Sequence, residues 1–226
     1  MTGNPLTRAP FLIYTAVTAV AIAGLMLWGD EPLARYMHLR RDTDWVGFFA
    51  AITDFASGFL WYSVALTGLA VAYTRYRSQQ LPLGSAAFLA RRRAWIFMIA
   101  AMASSGVTEI TLKFIIGRDR PRFLFEEGGA AFHPFRLNTA DSSFPSGHTQ
   151  SICSAMLALA VIYPPLQPVF LVTAALVSAS RVIIGAHYAS DVVGGVWLAV
   201  GAVMYWRYRF EKNGESLCLK APPQDS

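Results

Sequence analysis

Apolar residues in this chain gather into long runs divided by short polar segments, and most runs approach the length needed to cross a bilayer. The first extends from about Pro10 to Trp28 behind a short head carrying Arg8. A cleaved signal peptide would have a shorter apolar core ending in small residues. Here the apolar character continues through Leu25, Met26, Leu27 and Trp28, which predicts an uncleaved anchor. After a mixed-charge segment, Trp45, Phe48, Phe49, Ile52 and Phe55 recur at helical spacing and predict a short helix lying in the membrane surface. Asp54 follows as a cap for a second span over about 57–73. Further spans are expected over about 94–116, from Ser143 to Tyr163, from the break at Pro164, Pro165 and Pro168 to Ser180, and over about 189–206. The fold class expected is all-α: a polytopic membrane helical bundle of about six transmembrane helices plus a short interfacial helix. One membrane-embedded domain over 1–226 would end in a polar cytoplasmic tail from about 207.

Composition agrees with this pattern. Across 226 residues, 54% of side chains are hydrophobic and 15% charged, with mean hydropathy +0.40, which excludes an ordinary soluble domain. The net charge of +5 would suggest nucleic acid in a soluble protein, but here the cations gather at the ends of apolar runs. Arg75, Arg77, Arg91, Arg92 and Arg93 fill one connection without an acid or interleaved aromatics. By the positive-inside rule that connection is cytoplasmic, as is the tail carrying Arg207, Arg209 and Lys212, and no nucleic-acid partner is expected. Cys153 and Cys218 form neither a disulfide framework nor a metal-ligand spacing, and there is no acidic cluster of the kind that holds magnesium or calcium. No metal or cofactor is therefore expected.

The candidate chemistry lies where apolar runs meet. In the turn from Ser180 to Asp191, His187 and Asp191 stand four residues apart, so a helical continuation places the carboxylate under the imidazole and leaves the other ring nitrogen free to attack. Arg181 adds a planar donor fork suited to phosphate or carboxylate. A structural ion pair at a helix mouth is the alternative for this stretch taken alone. Ser146 and Gly147 open the fourth run, where unpaired backbone N–H groups and the helix dipole make an anion seat, with His148 beside it. Lys113 and Arg120 close the third run, and Glu109 sits one turn before Lys113 as its partner. The Phe-rich loop over 117–145 is long enough to carry function; Phe123, Phe125, Phe132 and Phe135 are candidates to dip into lipid, and His133 and Arg136 read as surface residues.

Counting crossings puts Lys113, Arg120, His148, Arg181, His187 and Asp191 on the side opposite the arginine connection. About 33 residues separate His148 from Arg181, so each helical leg is about 24 Å, short of the hydrocarbon core, and the cluster is expected at headgroup depth. Three cations, backbone donors, two imidazoles and a carboxylate together suit phosphoryl transfer.

Lys113 with Arg120-Pro121, then Pro145-Ser146-Gly147-His148, then Ser180-Arg181 with His187 and Asp191, resembles the three-part signature of the type 2 phosphatidic acid phosphatase superfamily, here spanning 113–191. The resemblance implies a metal-independent lipid phosphatase of the bacterial inner membrane, with its site facing the periplasm, both termini cytoplasmic and a lipid phosphate of the outer leaflet as substrate. It implies that His187 takes the phosphoryl group as phosphohistidine, that Asp191 orients it, and that His148 serves as acid and then base. Lys113, Arg120, Arg181 and the Ser146 and Gly147 region would cradle the phosphate. Phosphatidate, phosphatidylglycerophosphate, undecaprenyl diphosphate and lipid A all remain open as substrates. Transfer to a second lipid, or headgroup binding or transport without chemistry, are the competing functions.

Overall fold

Pro10 stands in the first turn of the chain's first helix, where its missing N–H costs nothing. The computed structural model describes residues 8–78, 85–126 and 131–219, and among these the chain is helical with only two isolated β-bridges. Helix α1 (Ala9–Gly24) runs through a π-helical turn (Leu25–Gly29) into α2 (Asp30–His38). The expected first span therefore continues as one 30-residue helical stretch past Trp28, and part of the mixed-charge segment is helical. Charge does not end a helix once it has left the apolar slab. This extension carries Asp30, 2% exposed, to the site described below.

The expected surface helix is α3 (Asp44–Ile52), continued by a 3-10 turn (Thr53–Ala56) and bent 44° from α4 (Gly58–Ser78). Its apolar side chains Trp45 and Phe48 are exposed, as is Phe55 in the following turn. Asp54 does not cap α4 through its side chain: the Ser57 N–H donates to the Asp54 backbone carbonyl.

Helix α5 (Ala86–Ile116) begins earlier than expected, so Arg91, Arg92 and Arg93 are helical rather than part of a loop. Arg93 reaches the Phe210 carbonyl and Glu215, which explains the extra turns: the guanidinium anchors the far end of the bundle. Residues 79–84 of the expected arginine-rich connection lie outside the described residues. Helix α5 ends at Gly117 with φ of 59°, where a Cβ would stand 1.8 Å from the His133 carbonyl oxygen, so only glycine fits the turn.

After the short α6 (Pro121–Glu126) come α7 (Gly147–Ile162), α8 (Gln167–Ile183) and α9 (Ala189–Glu211). Helix α7 packs against α4, α5, α8 and α9 and buries Ile152, Ala155, Met156, Ala158 and Ile162. Its polar side chains Thr149, Gln150 and Ser154 are buried as well, because its neighbours surround it. Gly195 of α9 permits close approach here, since a Cβ would lie 2.7 Å from the Ser146 carbonyl oxygen. Among the described residues, four helical stretches are long and apolar enough to cross a membrane: Ala9–His38, Ala86–Ile116, Pro164–Ile183 and Ala189–Glu211. The bent pair of α3 and α4 makes a fifth, and α7 is an apolar helix of 16 residues. The protein is a multi-pass helical membrane protein.

The tail departs from expectation. Helix α9 carries Arg207 and Arg209, and beyond it Leu217 is fully buried while the Leu219 N–H donates to the Ile162 carbonyl at 2.9 Å. Apolar side chains spaced through the polar segment tie it back to the bundle.

Candidate active site

His187 lies in the turn between α8 and α9, just before Tyr188 caps α9 in a capping box with Asp191. The Tyr188 N–H donates to Asp191 Oδ2 at 2.8 Å. His187 and Asp191 meet through this cap rather than along a helix face as expected: Nδ1 and Oδ2 are 3.6 Å apart. The Ser143 hydroxyl fills the gap, 3.3 Å from Nδ1 and hydrogen bonded to Asp191 Oδ2. The opposite ring nitrogen, Nε2, is buried without a partner among the described residues.

Burial, the largest influence, lowers the His187 imidazole to about 4; the nearby Asp191 carboxylate opposes the shift, and the charges of Arg120 and Lys113 add to it. His187 is therefore neutral at physiological pH, with a lone pair at Nε2.

Asp191 is itself held by a buried network. Arg118 donates to Asp191 Oδ1 at 2.7 Å, to Asp30 Oδ2 at 2.8 Å and to the Ser190 hydroxyl at 2.6 Å. The Ser190 N–H donates to Asp30 Oδ1 at 3.0 Å, and the Arg118 guanidinium lies 4.2 Å over the Tyr188 ring. One guanidinium thus joins the N-terminal helix to the carboxylate beside His187.

The expected cations converge on the same end of the bundle. Arg120 and Lys113 are within electrostatic reach of His187, and Arg181, Lys113 and Arg120 are within reach of His148. Lys113 pairs with Glu109 at 2.9 Å, both buried. Arg181 donates to the Thr53 hydroxyl at 2.7 Å, a contact from the end of α3. The Nε atoms of Arg120 and Arg181 are buried without partners, as His187 Nε2 is. Cations within reach of an unpaired lone pair suit an oxyanion bound next to a nucleophile. His148, at the start of α7, is exposed and lines a cavity of about 500 Å³ with Lys113, Arg120, Glu109 and Gly147.

The anion seat differs in detail from expectation. The Ser146 N–H donates to the Asp191 backbone carbonyl at 3.0 Å, and the Ser146 hydroxyl accepts from the Thr149 N–H at 3.4 Å. The N–H thus serves the junction of α7 with α9, and the hydroxyl caps α7 itself. The outward amides left in this turn belong to Gly147 and His148.

Arg118, Asp30, Ser143, Ser190 and Thr53 were not singled out from sequence. Arg118 is flanked by residues that were, and its place in a charged run before Pro121 is the one local signal. His133 is exposed, as read from sequence, and Arg136 is partly so; both also hold Asp119, at 3.2 and 2.8 Å, and pin the long loop to the end of α5. Of the loop's aromatics, Phe132 and Phe135 are exposed, while Phe125 stacks on His38 at 3.8 Å between centroids.

The chain is similar to known membrane phosphatases. The chain is 29% identical over 214 residues to a lipid A 1-phosphatase of Rhizobium johnstonii, covering 88% of this chain and 79% of that one. It is 32% identical over 128 residues to a decaprenylphosphoryl-5-phosphoribose phosphatase of Mycobacterium tuberculosis, covering 54% of this chain and 66% of that one. The crystal structure of a transmembrane PAP2 type phosphatidylglycerolphosphate phosphatase from Bacillus subtilis superposes with TM-score 0.61 at 21% identity, over 91% of this chain and 95% of that one, and shares the fold. The PAP2 superfamily profile matches residues 94–215, which hold every candidate residue from Lys113 to Asp191, and the chain belongs to that superfamily.

Proposed function

We propose that this protein hydrolyses a phosphate monoester or diphosphate of a lipid through a phosphohistidine on His187. The observation that carries the reading is the buried Nε2 of a neutral His187, without a partner among the described residues and within electrostatic reach of Arg120 and Lys113. In the first step Nε2 attacks phosphorus, the bond from phosphorus to the lipid oxygen breaks, and that oxygen takes a proton from His148. Desolvation and the charges of Arg181, Lys113 and Arg120 lower His148 to about 4 in the free site, and it is protonated once the bound phosphate dianion offsets those charges. In the second, His148 takes a proton from water, the resulting hydroxide attacks phosphorus, the P–N bond breaks and inorganic phosphate leaves. Lys113, Arg120, Arg181 and the Gly147 and His148 amides hold the phosphoryl oxygens, while Asp191 and Ser143 fix the His187 ring. Charge stabilisation comes from these side chains.

The near-full-length likeness to a lipid A 1-phosphatase makes an acylated sugar phosphate the first substrate to try. Phosphatidate, phosphatidylglycerophosphate and undecaprenyl diphosphate complete the panel. The site end of the bundle faces the periplasm of a bacterial inner membrane on this reading, because Arg75, Arg77 and Arg91–Arg93 gather at the other end with the α9 cations. Phosphate release from solubilised protein, measured with excess chelator, tests the reading. Release that persists with chelator and vanishes in His187→Ala supports it. Label moving from one lipid to another instead of into free phosphate would make the protein a phosphotransferase, and binding without release would make it a headgroup-binding protein.

A further inference from the structure

The cavity that reaches Lys113, Arg120 and His148 does not end at the phosphate seat. It continues down α7 past Ser151, one helical turn below His148, and down α5 to Gly106, about 10 Å below Lys113. The exposed side chains of Val107 and Ile110 form its rim on the outer face of α5, so it opens sideways toward lipid.

The floor of this cavity is polar. The Tyr62 hydroxyl and Gln150 Oε1 stand 4.0 and 3.9 Å from where a Cβ on Gly106 would lie, and Ser151 Oγ stands 3.2 Å from the corresponding point on Gly58. The two glycines leave this space empty of protein. Gln150 is spent on the bundle: its amide nitrogen donates to the Met102 carbonyl and to Ser105 and Ser154, and its oxygen accepts from Ser151 at 3.3 Å. The Tyr62 hydroxyl has no partner among the described residues, and the Ser151 oxygen keeps its lone pairs. A phenol O–H facing a lipid-filled groove forfeits a hydrogen bond unless the occupant supplies an acceptor.

We propose that Tyr62 and Ser151 form a subsite that recognises oxygen functions in the lipid immediately below its phosphate, selecting acylated glycerol or acylated sugar phosphates over polyprenyl phosphates. This rests on the phosphatase reading of the same site. Ester, amide and hydroxyl oxygens of an acyl-glycerol or acyl-sugar fall in the part of the cavity next to the cationic end, where a polyprenyl monophosphate presents only hydrocarbon. The hydrocarbon chains then leave over Val107 and Ile110.

The test compares kcat/KM of wild type and of Tyr62→Phe/Ser151→Ala in one detergent, on phosphatidate, a lipid A-type 1-phosphate and undecaprenyl monophosphate. The variant is expected to lower the ratio of kcat/KM on each oxygenated lipid to that on undecaprenyl monophosphate about fivefold or more, mainly through KM. Larger loss on the sugar lipid than on phosphatidate, or the reverse, identifies which oxygenated class the subsite fits. A ratio unchanged for both overturns the subsite while leaving the phosphatase reading intact. If wild type releases phosphate from none of the three, the phosphatase reading fails and the subsite with it. Gly106→Leu is a second variant that fills the same space: it is expected to raise KM most for the oxygenated lipids, and equal effects on all three contradict the inference.

Discussion

His187 Nδ1 lies 3.6 Å from Asp191 Oδ2, with the Ser143 hydroxyl 3.3 Å from the ring nitrogen and hydrogen bonded to the same carboxylate oxygen. The imidazole is therefore oriented by two groups from segments far apart in sequence, and its outward nitrogen is left open. Asp191→Asn removes the charge that would balance a phosphorylated imidazole and is expected to lower kcat by about 100-fold or more. Ser143→Ala loses one hydrogen bond at the ring and should lower kcat about tenfold. Steady-state kinetics at saturating lipid check both, and equal losses in the two variants would contradict the division of labour.

Burial lowers His187 to about 4, so its neutral, nucleophilic form dominates above that pH and its protonated form below it. The acidic limb of kcat/KM for the free enzyme is expected near pH 4 rather than near the ordinary imidazole value of about 6.5. Asp191 opposes the lowering, so Asp191→Asn should move the limb to still lower pH. A pH profile of phosphate release measures both shifts.

Arg118 has Asp30 on one side and Asp191 on the other, with side chains 5%, 2% and 0% exposed. Asp30→Asn leaves part of a buried cation unbalanced and is expected to destabilise the protein by about 3 kcal/mol. Arg118→Lys cannot span both carboxylates and should lower kcat with a smaller change in KM. Denaturation in detergent and kinetics on the same preparations separate the two effects.

Gly117 closes α5 with positive φ against the His133 carbonyl. Gly117→Ala is expected to destabilise by more than about 1 kcal/mol and to disturb Arg118 and Arg120 immediately beyond it. Thermal unfolding and phosphate release should fall together.

The residues proposed to carry the chemistry are legible in the sequence because each sits at the polar end of an apolar run, where hydropathy changes sharply: Lys113, Arg120, His148, Arg181, His187 and Asp191. Their supports are not. Asp30 and Ser190 are 160 residues apart, and nothing local to Asp30 distinguishes it from the solvated charges of its segment. Ser143 and Thr53 are short polar side chains whose role depends on which helices meet. Helix ends were misplaced for a related reason, since hydropathy marks where a chain leaves lipid and not where its hydrogen-bond ladder stops. Helices α1 and α2 continue through a π turn to His38, and α5 includes Arg91–Arg93, where Arg93 pairs with Glu215.

The claim on which the rest depends is that His187 carries the phosphoryl group between the lipid and water. Rapid quenching of turnover with a radiolabelled lipid phosphate, followed by peptide mapping, tests it most directly. Acid-labile, base-stable label on the His187 peptide, lost in His187→Ala together with turnover, is the predicted result. Turnover that persists in His187→Ala, or label that maps to another residue, would contradict it.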